Sequence, residues 1–136
     1  MQFTTSVNGY ITGVRFYKGT SNTGVHLGHL WSSSGTMLAE VTFTGETATG
    51  WQTASFASPI PVTANTTYVV SYHTNTGYYS LDRNYFANAY TNAPLSGLAN
   101  GQSAPGNGVY RYGSVRFPNQ TYQASNYWVD VIFITQ

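Results

Sequence analysis

Apolar and aromatic positions recur in short runs with two-residue alternation, broken every few residues by Gly, Pro, Asn or Ser. This pattern predicts strands over residues 3–7, 10–17, 25–32, 36–43, 51–56, 67–73, 78–81, 109–112 and 127–134. Turn chemistry separates them: Ser34-Gly35, Thr49-Gly50, Pro59 and Pro61, Asn65, and Asn75-Thr76-Gly77. Asn8-Gly9, between the first two runs, is the residue pair that a tight hairpin turn with positive φ demands. No stretch shows capped helical periodicity, so no helix beyond about two turns is expected. Short strands without intervening helices predict one all-β domain over 1–136, an antiparallel two-sheet β-sandwich of jelly-roll type.

Strand alternation nominates a core of Val14, Phe16, Leu30, Leu38, Val41, Phe43, Phe56, Val69, Val129, Val131 and Phe133. Leu38 and Val41 break parity, so one of them should sit at a bulge or outside the core. Residues 84–125 carry only one convincing strand. A long irregular segment in a compact domain is more often a functional surface than filler, and part of any ligand site is expected there.

Composition sharpens this picture. Charged residues make up 7% of the chain, against about 25% in an ordinary domain. Aromatics make up 16%, with twelve Tyr and three Trp. Acid–base, metal and nucleophilic chemistry is therefore sparsely provided, while rings that stack on apolar or sugar-like faces are plentiful. The net charge of +1 and five scattered bases offer no phosphate-tracking groove, so no nucleic acid is expected. No apolar run reaches bilayer length, so no membrane insertion is expected. The opening residues lack a basic and apolar leader, which reads as a mature or excised piece or an intracellular chain. A polar surface poor in lysine is common in extracellular bacterial β-modules. The sequons at Asn65 and Asn119 are read as chance matches in a Thr-rich chain.

An ordered set of motifs is more specific. It runs from Gly9-Tyr-Ile-Thr-Gly-Val-Arg-Phe-Tyr-Lys-Gly19 through Asn22-Thr-Gly-Val-His26, Leu30-Trp31-Ser32 and Gly50-Trp51-Gln52. Thr67-Tyr68, Ser71-Tyr72-His73, Gly108-Val-Tyr-Arg-Tyr-Gly113 and Asn126-Tyr-Trp-Val-Asp-Val131 follow. Together they resemble the domain of unknown function 4082 over nearly the whole chain. The resemblance implies a secreted bacterial β-sandwich module, normally appended to other extracellular domains. It assigns no catalytic or binding residue. Family members carry a few more strand residues ahead of the Phe3 position, so a terminal cation site using an N-terminal acid is not expected here.

Among candidate sites, His26 and His29 lie three apart and so on opposite strand faces, which argues against a shared metal and for a structural His26. Asp130 lies in the most apolar strand and needs a partner. An Arg15–Asp130 ion pair is expected, and breaking it should cost roughly 3–5 kcal/mol if the pair is buried. The alternative is a structural calcium with Asp130 and loop carbonyls as ligands, and no other cofactor is expected. No hydrolase, zinc or phosphate-loop motif is present. Four acids, of which Glu40 and Glu46 look solvated, leave little for a glycosidase, so the chain is read as not an enzyme.

Trp51, Tyr68 and Tyr72 read as core or sheet-packing residues. Tyr110 and Tyr112 should share a strand face roughly 7 Å apart, spaced to stack on two consecutive sugars, with Arg111 facing away. His73 and Tyr79 flank the Asn75-Thr76-Gly77 turn. The Gly106-Asn107-Gly108 run leaves room for a ligand to approach the backbone. The ligand set expected is therefore His73, Tyr79, Asn107, Tyr110, Arg111 and Tyr112, with the tyrosine pair mattering more than Arg111. The leading expectation is an extracellular, non-catalytic module that binds a polysaccharide or other glycan through a tyrosine-rich face. The alternative is a structural or adhesive module that associates through open strand edges at both termini, without a small ligand.

Overall fold

The structure, a computed structural model, describes residues 1–136. Eleven strands form in chain order: β1 (Gln2–Thr5), β2 (Gly9–Lys18), β3 (His26–Ser32), β4 (Met37–Thr42), β5 (Gly50–Val62), β6 (Tyr68–Thr74), β7 (Tyr90–Asn92), β8 (Leu95–Gly97), β9 (Val109–Tyr110), β10 (Gln120–Thr121) and β11 (Val129–Thr135). The sole helical element is a single 3-10 turn, Tyr85–Ala87. Every strand pair is antiparallel. A six-stranded sheet has the order β4-β3-β6-β1-β8-β7, a three-stranded sheet the order β11-β2-β5, and β9 and β10 form a separate ribbon.

The two larger sheets contribute to one core, which makes the fold β-sandwich-like. Phe3, Leu30, Tyr68 and Val70 come from the six-stranded sheet; Ile11, Val14, Phe16, Ala54, Phe56, Val62, Val129 and Val131 come from the three-stranded one. Phe16 stacks on Tyr72 with centroids 4.3 Å apart and meets Phe43 edge-on at 4.8 Å. Gly28 faces inward on β3 because a Cβ there would come within 3.1 Å of both Phe43 and Val14. His26 is buried as a structural residue, its Nδ1 2.9 Å from Glu46 and its Nε2 2.8 Å from Asn22 Oδ1. Leu38 is the residue skipped where the β3–β4 register shifts, and it points to solvent, while Val41 packs against the core.

Four expectations fail. Asn8-Gly9 does not make a hairpin: β1 and β2 belong to different sheets, and Gly9 enters β2 as a tight-packing residue. A Cβ on Gly9 would lie 2.4 Å from the Phe133 ring and the Ile134 carbonyl oxygen. Residues 78–81 form no strand, and the predicted strand at 109–112 stops at Tyr110. The β1 edge is not open either, because β1 is paired by β6 on one side and β8 on the other. β11 keeps one free edge.

The six-stranded sheet is covered on both faces. Val69, expected in the main core, points the other way from Tyr68 and Val70 and joins Trp31 and Val109 in a second cluster, against which Phe117 packs. The irregular segment is thus laid over the outer face of the sheet. Its anchor is Asn107, fully buried. Its Oδ1 accepts the N–H groups of Gln2 and Gly108, both at 2.8 Å, and its Nδ2 donates to the carbonyls of Gln2 at 3.0 Å and Leu98 at 2.7 Å. That fills all four hydrogen-bonding positions of the amide. The flanking glycines are required by the same packing: Gly108 has φ +80, and a Cβ on it would lie 2.5 Å from the Ser125 nitrogen. The space beside Gly106 and Gly108 is therefore taken by Asn100 and Ser125 and not by a ligand.

Arg15 and Asp130 are register partners across β2 and β11, with Nη2 to Oδ2 at 2.8 Å. Their side chains remain 43% and 34% exposed, so solvent screening places the pair in the surface range of about 0–1 kcal/mol, well below the cost expected for a buried one.

Asn107→Ala should strand several buried backbone groups at about 1–3 kcal/mol each. The expected loss in denaturant unfolding is about 3 kcal/mol or more; a loss under about 1 kcal/mol would show that the segment is held by other means.

Candidate functional site

β1 pairs with β6 only through Gln2 and Phe3, with two further bonds at Met1: its carbonyl accepts from the Val70 N–H at 3.0 Å and its amino group donates to the Val70 carbonyl at 2.7 Å. Beyond Val70, that edge of β6 carries no strand. A cleft of about 390 Å³ opens there, bounded by Ser71–Thr74 and the turn through Gly77 on one side and by the segment from Val109 to Pro118 on the other. Such a volume lies within the range of small-ligand sites. The β9–β10 ribbon, pairing Tyr110 with Gln120 and Val109 with Thr121, folds the segment back on itself and fixes the second wall.

Five of the six expected ligand residues meet in this cleft: His73, Tyr79, Tyr110, Arg111 and Tyr112. Asn107 does not, being consumed as the buried anchor. The Asn75-Thr76-Gly77 turn does bring His73 and Tyr79 to one site, with Gly77 at φ +72 and His73 Nε2 3.0 Å from Asn75 Oδ1. Arg111 was expected to face away from its tyrosine neighbours. Because the strand ends at Tyr110, alternation no longer applies, and all three residues line the same cleft.

The rings form a closed set of four. Tyr79 and Tyr112 share a hydroxyl–hydroxyl bond of 2.8 Å, Tyr112 meets Tyr110 at 5.4 Å between centroids, Tyr110 meets Tyr127 at 6.2 Å, and Tyr127 meets Tyr79 at 5.3 Å. Tyr110 and Tyr112 are inclined by 64°, so they do not form the flat pair expected for stacking on two consecutive sugars. They shape a lip instead, with Tyr112 as its exposed member at 67%. Tyr127 and Arg116 were missed in the sequence. Tyr127 was read as the first residue of the last strand, but β11 begins two residues later at Val129, after Trp128 at φ +54, whereas Arg116 had a usable signal as a second base within the irregular segment.

The phenols hold their protons tightly. Tyr79 is pushed up to about 12, first by its hydrogen bond to Tyr112, then by burial and the neighbouring phenols. Tyr127 is pushed up to about 12, chiefly by burial. Burial also raises Tyr72, in the same wall, and lowers the His29 imidazole against the opposing effect of its hydrogen bond to the Glu40 carboxylate. No Asp or Glu lines the cleft.

A second aromatic row starts on the three-stranded sheet and runs to β7 of the six-stranded one. Trp51, read as a core or sheet-packing residue, is 43% exposed and takes the second role. It begins a row in which Trp51 meets Trp128 at 6.4 Å, Trp128 meets Tyr85 at 5.3 Å and Tyr85 meets Tyr90 at 5.9 Å. The two rings of the first pair are inclined by 75° and those of the second by 67°. Arg15 covers Trp51 at 4.6 Å, and Trp128 Nε1 donates to Asp82. These rings are edge-packed and engaged, which suits sheet stabilisation.

As for metal ligands, no group of three or more His, Cys, Asp or Glu side chains comes together. Asp130 has both oxygens engaged, Oδ2 by Arg15 and Oδ1 by the Val131 N–H.

Because the folded state keeps these phenols protonated to higher pH than the unfolded chain does, their contribution to stability is complete below about pH 10 and is lost as pH rises towards 12. Tyr112→Phe removes the acceptor and should bring the Tyr79 titration down, read by carbon NMR at Tyr79 Cζ. An unchanged Tyr79 titration would contradict the hydroxyl pair.

A search of curated proteins and a search of solved structures each return no match. Comparison with protein families matches residues 1–129 to the domain of unknown function DUF4082. The ordered motifs from Gly9 to Val131 and the match over almost the whole chain agree: this chain belongs to the DUF4082 family.

Proposed function

We propose that this chain is a non-catalytic glycan-binding module that holds a saccharide in the tyrosine-lined cleft. The observation that carries the reading is the four-tyrosine set facing a wall of Ser71, His73, Thr74 and Asn75. A pyranose ring has apolar C–H faces and a rim of hydroxyls, and this cleft offers aromatic surface beside donors and acceptors. The inclination of Tyr110 to Tyr112 suits a chain end or a short stretch of polysaccharide entering a lipped cleft better than a flat crystalline surface. A glycosidase needs two carboxylates about the scissile bond, and the lining supplies none, which supports binding without hydrolysis. An extracellular setting beside other domains, and a jelly-roll assignment for the two facing sheets, belong to the same proposal; both rest on the charge-poor composition and the strand order.

Affinity electrophoresis through gels carrying soluble polysaccharides tests this. At least one polysaccharide should retard the wild-type chain, and Tyr112→Ala and Tyr110→Ala should restore mobility while keeping the folded circular dichroism spectrum. Unchanged retardation of both variants, or no retardation of wild type by any polysaccharide, would contradict the proposal.

A further inference from the structure

The chain has four acids and five bases, and nearly all are engaged with one another or with rings. Arg15 pairs with Asp130, Lys18 and His26 with Glu46, and His29 with Glu40. Asp82 accepts from Trp128, and Arg83 sits over the Tyr122 ring at 5.8 Å. The two bases left are Arg111 and Arg116. Both line the tyrosine cleft and both have only neutral partners: Arg111 Nη1 donates to Asn119 Oδ1 at 2.8 Å, and Arg116 Nη2 to Ser114 Oγ at 3.4 Å.

Resting on the glycan reading above, we infer that the cleft takes an acidic saccharide, whose anionic group is held by Arg111 and Arg116 while Tyr112 meets the sugar ring. Each guanidinium has five N–H donors and uses one on a side chain, so most of each fork is open. A planar fork matches a carboxylate or sulfate through paired hydrogen bonds. Because no carboxylate lines the cleft, the two positive charges face no competing internal anion. The phenols add no negative charge, since Tyr79 and Tyr127 stay protonated far above neutral pH and remain donors. Two positive charges in a site without acids favour an anionic ligand over a neutral isostere, and the preference must weaken as salt screens it. The base on the other aromatic surface, Arg15, is by contrast already paired to Asp130.

The test is affinity electrophoresis and calorimetry with polygalacturonate and alginate as carboxylated probes, dextran sulfate as a sulfated probe, and dextran and xylan as neutral ones. Wild type should bind an acidic probe at least about ten-fold more tightly than the neutral ones, about 1.4 kcal/mol, with affinity falling as salt rises. Arg111→Gln and Arg116→Gln, both at exposed positions, should each weaken the acidic probe about ten-fold and weaken neutral probes by clearly less. Stronger binding of the uronates than of dextran sulfate assigns carboxylate; the reverse assigns sulfate. Neutral polysaccharides bound as tightly as acidic ones and lost in Tyr112→Ala would overturn the acidic inference while leaving the glycan reading intact. Binding of acidic probes that survives Arg111→Gln with Arg116→Gln would also overturn it. No binding of any probe overturns both.

Discussion

The buried amide of Asn107 does for β1 what a neighbouring strand would do. It gives Gln2 both an acceptor for its N–H and a donor for its carbonyl, and in the same stroke ties Leu98 and Gly108 to the sheet. Without such a tether, a segment rich in Asn, Ala, Gly and Pro has too little apolar surface of its own to offset the entropy of ordering it. With it, Val109 and Phe117 reach Trp31 and Val69 and cover the outer face of the six-stranded sheet. The cleft exists because this covering layer stops short of the bare edge of β6. Tyr110, Arg111 and Tyr112 stand in the cleft because they follow the anchor by only a few residues.

Charge distribution follows a similar logic. A chain with so few charges places each acid against a base, a histidine or an indole N–H: Glu46 lies between Lys18 and His26, and Glu40 against buried His29. Burying a carboxylate without a partner costs several kcal/mol, so these pairings are what allow polar groups into the edges of the core. The consequence for the cleft is indirect but decisive. With every acid committed elsewhere, the two arginines of the irregular segment remain open to an external anion.

Strand alternation carried most of the architecture. The inward sets of β2 and β11, the structural role of His26, the Leu38 bulge and the Arg15–Asp130 register pair all follow from two-residue periodicity. It failed where periodicity ends or where the face that a strand buries was not known. Val69 has the right residue type for the main core, but its sheet is covered on both faces and its parity sends it to the second one. Arg111 could not be placed by parity because the β9 ladder ends after two residues. Asn107 carries a side chain as fit for a ligand as for a backbone, and only the three-dimensional neighbourhood of Gln2, Leu98 and Gly108 decides between them. Trp51 could be read only as a core or a sheet-packing residue, because the same alternation is consistent with either side of a sheet until the sheet's partners are known; it lies on the exposed face.

The most direct test of the whole account is an NMR titration of the chain with an oligogalacturonate, following backbone amides and the three indole N–H signals. Shifts should concentrate at His73, Tyr79, Tyr110, Arg111 and Tyr112. The Trp31 indole, bonded to Ser71 in the cleft wall, should move, while those of Trp51 and Trp128 stay still. Shifts confined to Trp51, Trp128 and Tyr85, with the cleft silent, would show that the chain presents the outer face of its three-stranded sheet instead.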